Sequence, residues 1–164
     1  MFDKKLLNIV KANFKLDLYG THGIYHWQRV YENTQILANY YAVESKVFEL
    51  FALFHDSKRK NEHNDLFHGI RATKFVKNLI EKKEIILDED DTNRLLYAIV
   101  NHTISDKKNP LLNDLIVQIC FDADRLDLGR VGIKPKEKYM MTDFAKKLVK
   151  KKKFYWKDSQ KKQK

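Results

Sequence analysis

Six side chains able to hold a metal ion lie on the apolar stripes of this sequence: His26, His55, Asp56, His68, His102 and Asp124. His26 precedes Val30 and Leu37 on one helical face, and His55 and Asp56 follow directly on Phe51 and Phe54. Asp124 continues Ile116 and Cys120 at four-residue steps. His68 heads the stripe Ala72, Phe75, Val76 and Leu79, and His102 follows Leu95 and Ile99 at seven and three residues. An ionised carboxylate buried alone in a helical core costs several kcal/mol, unless it is paired or bound to a cation. A divalent ion would satisfy the aspartates and the imidazoles together. Taken singly, a histidine on an apolar stripe is ordinarily a hydrogen-bonded core residue, and a His-Asp pair says little. Adjacent helical residues project about 100° apart, so shared ligation by His55 and Asp56 needs an ion in the wedge between them, near a helix end. The recurrence of such groups on successive helices is what points to metal. Asp122 is an alternative ligand to Asp124, less favoured because Asp124 continues the Ile116–Cys120 line. His22 is expected in the turn before the His26 helix. His63, among Asn61, Glu62, Asn64 and Asp65, is expected in a solvated loop.

The elements that would carry these residues read as helices. Leu6, Ile9, Val10 and Phe14 share one face of an opening helix, and a second begins near Gly23. Ser45 is placed to cap a third, carrying Val47, Leu50, Phe51 and Phe54. The acidic run Asp88 to Asp91 suits the start of a fifth helix, where negative charge meets the positive end of the helix dipole. Asn109-Pro110 breaks the chain before a sixth, and Gly129 and Gly132 end it. Met140, Phe144 and Leu148 mark a last helix. Ile85-Ile86-Leu87 could form a short strand, but nothing offers it a partner. The expected architecture is all-α: a single-domain bundle of about six or seven helices over residues 1–148, followed by a flexible Lys-rich tail over 149–164.

A chain of 164 residues with a net charge of +10 invites a nucleic-acid reading, so the location of that charge matters. Beyond residue 133 there are thirteen lysines against Glu137, Asp143 and Asp158, and the first 133 residues are neutral overall. Any electrostatic partner must therefore be sought for the tail. There Phe154, Tyr155 and Trp156 interrupt the lysines of 146–164, a pattern able to pair with phosphates and stack on bases; its ordinary role is a solvated terminus. The single Cys120 excludes an internal disulfide and reads as a small buried apolar residue. No apolar run approaches the roughly 20 residues that span a bilayer, and the expected location is cytoplasmic.

Three segments together resemble the HD superfamily of metal-dependent phosphohydrolases: His26-Trp27-Gln28-Arg29-Val30, Phe54-His55-Asp56, and Asp122-Ala123-Asp124-Arg125-Leu126-Asp127. The resemblance spans about residues 22 to 130. It implies a helical bundle with His26, His55, Asp56 and Asp124 as metal ligands, and His68 and His102 holding a second metal or contacting the phosphate. The implied reaction is hydrolysis of a phosphoester, in a nucleotide or another small phosphorylated compound. Bound metal lowers the pKa of its water from about 15.7 towards 7, and Asp56 is placed to orient that water or accept its proton. The nitrogen and oxygen donors admit Mn, Fe, Co, Mg, Ni or Zn, as one or two ions. Four ligands complete one site, which favours a single ion with His68 and His102 on the phosphate. Lys58 and Arg59 are the expected substrate contacts, with Arg29, Arg71 and Arg125 within a turn of other site residues. Two other functions fit the same residues: a non-catalytic metal- or nucleotide-binding regulatory module, and a nucleic-acid-binding protein acting through its tail.

Overall fold

The computed structural model describes residues 2–103 and 108–151. They form seven α-helices: α1 (Lys4–Asn13), α2 (Ile24–Tyr41), α3 (Lys46–Phe54), α4 (His68–Glu81), α5 (Glu89–Asn101), α6 (Leu115–Leu126) and α7 (Asp143–Lys150). Short 3₁₀ turns lie at Pro110–Asn113, Leu128–Val131 and Glu137–Tyr139. No strand occurs among the described residues, and segment 85–87 is irregular, with Ile85 buried and Ile86 exposed.

Side chains set the helix starts. Asp3, Ser45, Asp88, Asp114 and Thr142 each accept a hydrogen bond from a backbone N–H of the first turn that would otherwise lack a partner. Gly23 opens α2 because no side chain fits there: a Cβ would lie 2.0 Å from the Leu18 carbonyl oxygen.

α3 is the centre of the bundle. Seven of its nine residues are buried, including Phe48, Ala52 and Leu53, which lie off the stripe read from the sequence. A helix apolar on all sides belongs inside, and α3 packs against α2, α5 and α6. Trp27, Phe48, Phe51, Phe54, Phe121 and Ile119 are the fully buried bulk around it. α2 lies along α6, and α4 lies along α5. The second pair approaches closely at Gly69, where a Cβ would come 2.7 Å from the Ile99 carbonyl oxygen.

The last helix, α7, runs to Lys150, and its Val149 is buried. The tail's aromatic residues Phe154, Tyr155 and Trp156 lie outside the described residues.

Candidate metal centre

Five helices bring their polar residues to one place. His26 comes from the first turn of α2, His55 and Asp56 from the start of the chain segment that leaves α3, and His68 from the first residue of α4. His102 caps α5, and Asp124 lies in the last turn of α6. His26, His55, Asp56, His68 and His102 are at most 5% exposed, and Asp124 is 9% exposed.

The imidazoles share a feature that decides their chemistry. Nδ1 of His55 bonds the Phe51 and Ala52 carbonyl oxygens, Nδ1 of His68 the Asp65 carbonyl, and Nδ1 of His102 the Ile99 carbonyl at 2.8 Å. Nδ1 of His26 lies 2.7 Å from Oδ2 of Asp127. A carbonyl or carboxylate oxygen only accepts, so each Nδ1 carries a proton and each neutral ring points a bare Nε2 lone pair inward. Those lone pairs meet in pairs: Nε2 of His26 and His55 are 2.9 Å apart, and Nε2 of His68 and His102 are 2.8 Å apart. With both rings in the neutral form, neither pair has a hydrogen to share between its Nε2 atoms.

Carboxylates complete two groups. Oδ1 of Asp124 lies 3.5 Å from Nε2 of His26 and 3.8 Å from Nε2 of His55, and it is buried without a hydrogen-bond partner. Oδ1 of Asp56 lies 3.1 Å from Nε2 of His68 and 3.7 Å from Nε2 of His102. Oδ2 of the same Asp56 reaches back to within 3.5 Å of His26 and 3.6 Å of His55. Donors about 2.0–2.2 Å from a common ion stand roughly 2.8–3.6 Å apart, and the separations within the two groups, from 2.8 to 3.8 Å, lie close to that range. His26, His55 and Asp124 could therefore hold one ion, and Asp56, His68 and His102 another. His55 and Asp56, diverging by the helical turn angle, serve different groups, with Asp56 facing both. The lone pairs and the unpartnered Asp124 oxygen fit a divalent cation.

The electrostatics follow from burial among these charges. Burial pushes His55 down to about 3, against the attraction of Asp56 and Asp124. Asp56 and Asp124 are also buried, which alone would raise them. The histidines hold Asp56 well below the usual carboxylate range, and Arg130 with the histidines does the same for Asp124. Asp127 is lowered too: its burial is outweighed by His26 and Arg29.

Other expected residues have other partners. Asp122 points away from both groups and ties α6 to the start of α7. Its oxygens accept from the Met141 and Thr142 N–H groups at 2.7 Å and from the Thr142 hydroxyl at 2.8 Å. Lys58 donates to Asn13 and lies 3.8 Å over the Phe75 ring, between α1 and α4. Arg59 reaches Oδ1 of Asp56 at 3.3 Å, yet its shortest bond, 2.6 Å, is to the His63 carbonyl, so it braces the loop after α3. Arg29 forks onto Asp127, Arg71 binds Asp65 and the Lys58 carbonyl, and Arg125 binds the Tyr139 carbonyl. His22 lies in the turn before α2, buried, and pairs with Glu62; His63 is exposed.

Asp127 and Arg130 carry parts of the centre that sequence reasoning missed. Both belong to the tight turn after α6, where no helical period marks which side chains face inward. Only the turn's proximity to Asp124 could have drawn attention to them.

No protein-family model and no curated protein matches the chain. A solved structure does: that of a predicted HD superfamily hydrolase from an uncultured Thermotogales bacterium. The two are 26% identical, with a TM-score of 0.66 over 90% of this chain and 83% of that one. The resemblance to the HD superfamily read from the sequence thus extends to the fold: the described residues are all-helical and share the fold of that HD superfamily structure. That fold, with two His/Asp groups able to hold metal, supports a metal-dependent hydrolase in the generic sense. No helix among the described residues is long and apolar enough to cross a membrane.

Proposed function

We propose that the protein is a metal-dependent phosphohydrolase acting on a small phosphorylated compound such as a nucleotide. His26, His55 and Asp124 hold one ion; His68 and His102 hold a second; Asp56 contributes to both. The observation that carries this reading is the inward convergence of four fixed Nε2 lone pairs on two buried carboxylates. A purely structural cluster would pair each donor with an acceptor, whereas here neutral Nε2 atoms face one another and an Asp124 oxygen is buried without a donor. The matching construction of the two groups favours two ions over the single ion expected from ligand count.

Bound metal supplies a nucleophilic water at neutral pH and polarises the phosphoryl oxygen. The chain's own residues do the rest. The Nδ1 bonds of the four histidines fix their rings before substrate arrives, so little reorganisation is needed during reaction. Asp56, with an oxygen on each side, is the carboxylate placed to orient the attacking water or take its proton. Burial of the cluster excludes bulk water and strengthens every charge interaction inside it.

The test is hydrolysis of phosphomonoesters, phosphodiesters and nucleotides by metal-stripped protein reconstituted with each of Mn, Fe, Co, Mg, Ni and Zn. Turnover that appears with metal and disappears with chelator is expected. Metal binding without turnover on any class would favour the non-catalytic regulatory module instead.

A further inference from the structure

We infer that Arg130 grips the substrate's phosphoryl group through the Nε–Nη2 edge of its guanidinium, an inference that rests on the phosphohydrolase reading above. A phosphate needs fixed positive charge near the hydrolytic centre, and a guanidinium meets it best with two parallel N–H bonds from one edge. The other cations near the centre are each bound to another partner. Arg29 forks onto Asp127, Arg59 braces the His63 and Asn61 carbonyls, and Arg71 is bound to Asp65. Arg125 reaches the Tyr139 carbonyl, and Lys58 sits on Asn13 and the Phe75 ring.

Arg130 differs in both place and state. Its side chain is only 9% exposed and faces both metal groups: Nη1 is 3.5 Å from Oδ1 of Asp124, and Nη2 is 3.8 Å from Oδ2 of Asp56. Its hydrogen bond is a long one, from Nη1 to the Asp127 carbonyl at 3.3 Å. Nε is fully buried with no partner. Nε, half of the edge that binds oxyanions bidentately, is therefore buried without an acceptor, at a cost that the ion pairs of Nη1 and Nη2 with Asp124 and Asp56 do not remove. The separations from Asp124 and Asp56 are too long for charge-assisted hydrogen bonds, so the carboxylates stay available to cations while the guanidinium waits beside them. An arriving phosphate would supply the missing acceptors.

The probe is inorganic phosphate, titrated calorimetrically into the metal-reconstituted full-length chain, with metal content measured on the same samples. Wild type is compared with Arg130→Gln, which removes the charge, and Arg130→Lys, which keeps it but cannot fork. Metal content should match wild type in both. Phosphate affinity should fall roughly 30-fold in Arg130→Gln and about tenfold in Arg130→Lys. If the Gln variant does not fold, the Lys variant alone decides. Phosphate binding within about twofold of wild type in a folded variant would overturn the inference, as would loss of metal from either, which would make Arg130 an organiser of the ligands. Those outcomes leave the phosphohydrolase reading standing. A wild-type protein that takes up metal but no phosphate would overturn the inference alone, and one that takes up no metal would overturn both.

Discussion

Asp127 holds the proton on Nδ1 of His26 and so aims its Nε2 lone pair, while Arg29 holds Asp127 from the other side at 2.7 and 3.1 Å. Residues that orient a ligand in this way typically contribute 10–100-fold to metal affinity. Asp127→Ala should therefore weaken metal binding by about that factor with the helical content unchanged, as read by metal titration and circular dichroism. Unchanged affinity would mean that α2 alone fixes the ring. The histidines also set a pH dependence for the metal-free protein. Burial lowers His55 to about 3 and lowers His22, both from 6.5. Below pH 6.5 the unfolded chain takes up protons at these two residues that the native state refuses, so stability falls as the pH drops towards about 4. His102 works in the opposite sense. Its burial is outweighed by Asp56, its pKa is raised, and its stabilisation is full below 6.5 and lost as pH rises through the raised value. Because the His102 contribution is constant below 6.5, urea denaturation of the metal-free protein should show declining stability as pH falls from 6.5. Rising stability over that range would contradict the burial of neutral His55.

Two contacts hold the elements around the centre together, and only the first bears on the metal groups themselves. Gly69 lets α4 approach α5 one residue after His68, and a Cβ there would press on the Ile99 carbonyl, whose oxygen also binds His102. Gly69→Ala should cost about 1–3 kcal/mol by urea titration and weaken metal binding at the His68–His102 pair. Asp122 fastens α6 to the start of α7, and Asp122→Ala leaves two N–H groups and a hydroxyl without their acceptor. It should cost about 3 kcal/mol while leaving metal content intact, whereas loss of metal would return Asp122 to the ligand set. The helices themselves were legible because caps and stripes are local: Ser45 and the acidic run from Asp88 announce α3 and α5. The all-round burial of α3 was not, because which flank of a helix is covered depends on the neighbours it meets. The inward placement of His68 and His102 could be read from their stripes. Their pairing through Nε2 could not, since it depends on the α4–α5 approach. Lys58 lies in the turn beyond α3, where three-dimensional direction no longer follows sequence spacing, and it faces Phe75 rather than the centre.

At the scale of the molecule, the charge asymmetry and the helical body are separable. The described helices close their own core, and α7 contributes Ala145 and Val149 to it. A chain ending at Lys151 should therefore unfold cooperatively and bind metal as the full chain does, by thermal circular dichroism and metal analysis. A chain ending at Leu148 should melt earlier, because it lacks buried Val149 and the end of α7. Loss of cooperative unfolding in the longer truncation would show that residues 152–164 matter to the fold. The central claim is that the six converging donors form a two-ion centre with Asp56 common to both halves. Metal stoichiometry of reconstituted wild type, His68→Ala and Asp56→Ala tests it most directly. The account predicts two divalent ions in wild type, one after His68→Ala, and depletion of both positions after Asp56→Ala. One ion in wild type, unchanged by His68→Ala, would contradict it, and so would full occupancy in Asp56→Ala.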